Sequence, residues 1–184
     1  MGFEIRLGGL VNDSITDGPG LRYSIFVQGC PLCCEGCQNP QFHDFEAGSV
    51  CDTDELLEEI RRNPILSGIT LTGGEPMCQA GALSELAEEC KQAGLEVAIY
   101  TGYTFEHLLR EGDADRMRLL HLSDILIDGP FIQSQRSLDI GFRGSRNQRI
   151  LNLSRSMQTG LAVAETSQRW TPNPVRPMGR DDLD

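Results

Sequence analysis

Apolar positions in this chain fall mostly in short unbroken runs, each closed by glycine, proline or small polar residues. Residues 21–27, 68–72, 95–100 and 125–127 are such runs, rich in Ile, Val and Leu. That is the pattern of strands buried on both faces. Between them the period changes. Leu83, Leu86, Ala87 and Cys90 repeat at helical spacing, and Gly94 suits a C-terminal stop, so residues 80–93 are predicted helical. Asp52-Thr53-Asp54-Glu55 reads as a helix start with an acidic cap; Leu56, Leu57 and Ile60 form its apolar face, and Asn63-Pro64 ends it. Phe105, Leu108 and Leu109 mark a short helix, and residues 113–122 another. Residues 1–10 alternate weakly, as an edge strand would. Strand and helix thus take turns along the chain, which predicts an α/β fold: a mostly parallel sheet with helices packed outside it.

Two stretches fall outside this rhythm. Residues 12–20, Asn-Asp-Ser-Ile-Thr-Asp-Gly-Pro-Gly, are dense in turn-formers. They make either a plain surface turn or a loop at the mouth of a site, where small residues admit another backbone. Residues 155–184 lack apolar periodicity and carry Pro172, Pro174 and Pro177, which predicts one domain over 1–153 and a disordered tail over 154–184, with Trp170 as a possible anchor for a partner. A length of 184 residues suits one domain able to bury a core without cross-links. The net charge of −11 opposes general nucleic-acid binding, because phosphates would be repelled. Neither a charged-then-apolar leader nor a run of 18 apolar residues is found, so a cytoplasmic protein with no membrane span is expected.

Cysteine usage changes the picture most. Four of the seven cysteines, Cys30, Cys33, Cys34 and Cys37, lie within eight residues. In a cytoplasmic protein that density points to a soft metal rather than to disulfides. Two spacings compete. Cys30-x3-Cys34-x2-Cys37, with Cys33 as a spare, would wrap three corners of a 4Fe-4S cubane and leave one iron open. Cys30-x2-Cys33 abutting Cys34-x2-Cys37 would suit zinc, although zinc knuckles usually lie a dozen or more residues apart. Of the others, Cys90 falls on a helix's apolar face and reads as core; Cys51 and Cys78 lack partner spacing. Gly73-Gly74-Glu75-Pro76 closes the second strand, where two glycines free the backbone to meet a ligand and a buried Glu could take an ammonium. Alone, that tripeptide is more often a turn. Three arginines, Arg143, Arg146 and Arg149, sit in seven residues and read either as a solvated edge or as carboxylate-gripping forks.

The x3-x2 cysteine triplet resembles the signature of the radical S-adenosylmethionine (radical SAM) enzymes. Asp17-Gly18-Pro19-Gly20-x-Arg22, Tyr100-Thr101-Gly102-Tyr103, Asp128-Gly129-x-Phe131 and Arg143-Gly144-Ser145-x-Asn147-Gln148, in that order, narrow the resemblance to enzymes that activate glycyl-radical proteins, and within them to the activases of anaerobic (class III) ribonucleotide reductase. The resemblance covers residues 12–153 and implies a compact partial (α/β)6 barrel. It implies that Cys30, Cys34 and Cys37 hold a 4Fe-4S cluster whose open iron takes S-adenosyl-L-methionine (SAM). Gly36 and Gln38 would flank the last ligand, Gly73, Gly74 and Glu75 would line the methionine end, and Asp128 would help bind SAM or serve as a cap. Asp17, Tyr103 and Arg143 would face the partner. The implied reaction cleaves SAM reductively to a 5′-deoxyadenosyl radical that takes hydrogen from a glycine of the reductase, with electrons from a donor such as reduced flavodoxin. The chain departs from the family pattern in two places. Gln38 stands where an aromatic residue usually follows the third cysteine, and Pro130 stands where some relatives have Lys. Activation of another glycyl-radical enzyme, radical chemistry on a small molecule, and a non-catalytic zinc module are the competing expectations.

Overall fold

The computed structural model describes residues 2–172. The first strand, β1 (Glu4–Ser14), pairs antiparallel with β2 (Arg22–Val27) on one side and with β3 (Ser49–Asp52) on the other. β1 is therefore internal, and the expected edge position belongs to β3, a strand too short and too exposed to show in the hydropathy pattern. α1 (Thr53–Arg62) follows, with the Asp52 side chain accepting from the Asp54 N–H at its start. β4 (Gly68–Gly73), α2 (Ala80–Gln92), β5 (Glu96–Tyr100), α3 (Phe105–Glu111), α4 (Ala114–Leu122) and β6 (Ile125–Asp128) complete the alternation. β7 (Arg149–Asn152) and α5 (Leu153–Thr159) come last.

The seven strands form one mixed sheet in the order β3-β1-β2-β4-β5-β6-β7. β2, β4, β5 and β6 run parallel and are largely buried; β1, β3 and β7 pair antiparallel with their neighbours at the two sides. Register puts Ile25, Leu71, Ile99, Leu126 and Leu151 in one row across five strands, each nearly or fully buried. This row joins Leu56, Ile60, Leu83, Leu86, Leu119 and Leu120 of the helices in the main core. Cys90 belongs to the same core, as its helical position predicts, and burial pushes its thiol up to about 12.

The opposite face is split by chemistry. Arg22, Ser24, Thr70 and Thr72 make a polar strip on β2 and β4, while Ala98, Ile125, Ile127 and Ile150 make an apolar one toward β7. Trp170 caps the apolar strip and is 1% exposed. The domain boundary expected at residue 153 accordingly falls at the start of an ordered element. α5 follows β7 directly, Leu151 bridges Ala164, and the Glu165 N–H donates to the Ile150 carbonyl, so the chain returns beside the last strand. One aromatic residue laid on a sheet face has no periodicity; the anchor expected at Trp170 for a partner is instead an anchor on the protein's own sheet. The rest of the expected tail, including Pro174 and Pro177, lies outside the described residues. Among the described residues, no helix is long and apolar enough to cross a membrane.

Candidate active site

A cavity of about 460 Å³ opens at the C-terminal ends of the parallel strands, the usual ligand position of an α/β sheet. Each strand contributes to it through the loop that follows. β2 delivers Cys30, Cys34 and Cys37; β4 delivers Gly73, Gly74 and Glu75; β5 delivers Tyr100, Thr101 and Gly102; β6 delivers Gly129 and Phe131. Asp17 comes from the turn-rich segment, and Phe142, Arg143, Gly144 and Gln148 from the segment before β7.

The four clustered cysteines are separated by this geometry. Cys30, Cys34 and Cys37 are half-buried and line the cavity. Cys33 is exposed, is not among the lining residues, and has φ of 44°, a left-handed value uncommon for a residue with a side chain. The loop is tied by the Cys37 N–H to the Cys34 carbonyl, and the Asn39 N–H points at Cys37 Sγ at 3.4 Å, a donor suited to a thiolate. Burial raises the Cys30 thiol above its ordinary value, partly offset by the backbone N–H of Leu32. Among the described residues no three His, Cys, Asp or Glu side chains converge to hold a single ion. Three thiols from one loop around an open cavity are the donor set that an iron–sulfur cubane takes, and they fit a cluster with one uncommitted iron. His43, also in the wall, has a buried Nε2 without a partner among the described residues.

Glu75 is 1% exposed. Its Oε1 accepts from the Met77 N–H (3.0 Å) and from Thr101 Oγ1 (2.8 Å), and its Oε2 from the Gly102 N–H (2.9 Å). Desolvation nonetheless raises its pKa, the three donors and Arg116 offsetting only part of the effect. A cation entering the cavity would relieve that cost. The glycines before it are required by close approach. A Cβ on Gly73, whose φ is 96°, would lie 2.6 Å from the Phe26 Cα, and one on Gly74 would lie 2.4 Å from the Gly29 carbonyl oxygen. The Gly74 N–H donates to Val27 and the Glu75 N–H to Gly29, joining this loop to the root of the cysteine loop.

Other expected positions are distributed differently. Gln38 lines the cavity, whereas Gly36 does not; its φ of 69° makes the turn, and its face packs on Gln133. Asp17 and Arg143 line the cavity, with Asp17 accepting from Ser14 Oγ at 2.6 Å and Arg143 donating to the Gln148 carbonyl. Tyr103 is not among the lining residues. Its ring stacks on His107 at 5.1 Å and lies under the Arg116 guanidinium, both on the helices behind the sheet ends. Asp128 is fully buried, and both its oxygens are engaged: Oδ2 by the Phe105 N–H, and the pair by Arg149, which also grips Glu106. Of the two roles expected for Asp128, the contacts present are those of a cap. No role was expected for Phe26, Phe131 and Phe142, which put three rings into the wall where Gln38 supplies none; Phe131 ends a motif already noted and Phe142 directly precedes another, and their aromatic character was the available signal.

Residues 16–151 match the family described as "4Fe-4S single cluster domain". The anaerobic ribonucleoside-triphosphate reductase-activating protein of Haemophilus influenzae is 31% identical over 144 residues, covering 73% of this chain and 89% of the relative. The protein of the same description from Vibrio cholerae is 33% identical over 142 residues, with the same coverage. The chain belongs to this activating-protein family. It is a radical SAM oxidoreductase with a 4Fe-4S cluster domain. A pyruvate formate-lyase-activating enzyme from Clostridium pasteurianum is 32% identical over 128 residues, but this chain spans only 54% of its length. The crystal structure of QueE from Escherichia coli superposes with a TM-score of 0.45 at 18% identity, covering 55% of this chain and 53% of that one.

Proposed function

We propose that this protein activates an anaerobic ribonucleotide reductase in the cytoplasm by installing a glycyl radical. In this reading Cys30, Cys34 and Cys37 hold the 4Fe-4S cluster, and Cys33 does not. When bound, such a cluster would supply the one electron that parts SAM into methionine and a 5′-deoxyadenosyl radical able to take a hydrogen atom from a glycine of the partner. The chain's own residues orient and shield. Glu75, buried and raised in pKa, accepts the ammonium of SAM, and the bare backbone at Gly73 and Gly74 lets the methionine end approach. Phe26, Phe131 and Phe142 exclude water beside the adenosine, taking over the surface that Gln38 lacks. Asp17 and Arg143 offer charged groups to the partner's glycine loop, and a small reductant such as flavodoxin supplies electrons. The four parallel strands with a site at their C-terminal ends support the finer reading of the open sheet as a partial (α/β)6 barrel.

One observation carries this proposal: three of four clustered thiols open into one cavity opposite a buried carboxylate, and the fourth is outside it. The test combines the anaerobically reconstituted protein with a candidate reductase, SAM and a reductant, and reads the glycyl signal by electron paramagnetic resonance. Cys34→Ala should abolish both the signal and most of the bound iron, whereas Cys33→Ala should retain both. The opposite pattern would refute the ligand assignment. A glycyl signal on a formate-lyase-type protein but not on the reductase would refute the choice of partner.

A further inference from the structure

Trp170 lies beyond the residues, 16–151, that match the family, yet it is among the largest fully buried side chains in the protein. Its segment is secured twice. The Ser167 carbonyl accepts from the N–H groups of Trp170 and Thr171, and Arg169 reaches Glu96 at 3.6 Å. The ring lies 5.4 Å from Phe142 in an edge-on arrangement and 5.3 Å from the Arg22 guanidinium. Arg22 is itself anchored from below by Thr70, by Glu96 and by the Ile69 carbonyl. A Cβ on Gly18 would meet the Trp170 ring at 2.8 Å, so the backbone beside Asp17 rests directly on it. Phe142, Arg143, Asp17 and Tyr100 line the cavity, and Trp170 sits one layer beneath them. The indole N–H is buried without a partner among the described residues. The position therefore exploits the ring and not the donor.

We propose that Trp170 is a positioning residue for the cavity: from a segment outside the family match, it props the Asp17 and Phe142–Arg143 walls from beneath and so sets how tightly substrate is held there. This rests on the function proposed above. The cluster that Trp170 joins contains none of the cysteine-loop residues, so metal loading should be insensitive to it. A loosened wall lets the bound substrate sample unproductive poses, so more SAM is cleaved for each glycyl radical stored.

The test uses the full-length reconstituted protein with Trp170→Leu, which fills space without a ring, and Trp170→Phe, which restores one. Because Trp170 is the only tryptophan, its fluorescence reports the segment directly. In the wild type it should be strongly shielded from acrylamide, and quenching as free as that of tryptophan in water would overturn the proposal. Trp170→Leu should keep its iron content but release severalfold more 5′-deoxyadenosine per glycyl spin, and Trp170→Phe should return close to wild type. A wild-type ratio in folded Trp170→Leu would overturn it. If the wild type itself forms no glycyl radical on the reductase, the proposed function has failed, and Trp170 is judged by SAM affinity alone. The expected loss in Trp170→Leu is about tenfold, the scale of one or two aromatic contacts; an unchanged affinity would overturn the inference.

Discussion

Replacing Asp128 by alanine separates two roles that the sequence left open. Its carboxylate is wholly buried and holds the Arg149 guanidinium and the Phe105 N–H at the start of α3. Removing one member of a buried, hydrogen-bonded ion pair costs about 3–5 kcal/mol, chiefly because the other charge is stranded. Arg149 is not fully stranded here. Its side chain is 39% exposed and keeps both bonds to Glu106, which pulls the ion-pair contribution below that range. The Phe105 N–H, buried and deprived of its acceptor, adds about 1–3 kcal/mol. A total of about 3–4 kcal/mol follows, which for a protein of this size lowers Tm by roughly 6–16 °C. The assay is urea and thermal unfolding of the cluster-free protein by circular dichroism, so no cofactor contributes. Asp128→Asn, which keeps an acceptor for Phe105 but not the charge, should fall between the two. A loss under about 1 kcal/mol accompanied by weakened SAM binding would refute this reasoning and make Asp128 a substrate contact.

Two further outcomes follow from the loop after β4. Glu75 has its pKa raised by burial, so the folded protein binds a proton more readily than the unfolded chain, and stability falls as pH rises from the ordinary value of 4.5 through the raised one. Glu75→Gln should flatten that slope in urea midpoints measured across the window, and an unchanged slope would mean that another group titrates. Gly74→Ala forces a methyl to within 2.4 Å of the Gly29 carbonyl oxygen and should cost about 1–3 kcal/mol, together with a lower iron content after reconstitution; full iron loading would show that the two loops tolerate separation.

Much of the fold was legible because parallel strands buried on both faces write themselves as apolar runs, and because α2 keeps a strict helical period. What escaped notice has a physical reason in each case. β3 is four residues of exposed or half-buried strand, and β1 alternates too weakly to reveal that both its sides are paired. The Trp170 segment packs through one side chain, and its proline-rich surroundings resemble a tail. At the site, the cysteine spacing alone left two readings open; in the structure Cys30, Cys34 and Cys37 line the cavity and Cys33 does not. A motif fixes the place of Tyr103 along the backbone but not the direction of its ring, which here is held by two neighbours on helices.

The backbone bonds from Gly74 to Val27 and from Glu75 to Gly29 have a consequence for how the protein ages in air. They make the thiol-bearing loop and the carboxylate-bearing loop a single rigid piece. On the function proposed above, oxidative damage that shifts the first would drag the second, so a molecule that has lost its cluster should also hold the amino-acid end of SAM less well. Repair would then have to restore both together.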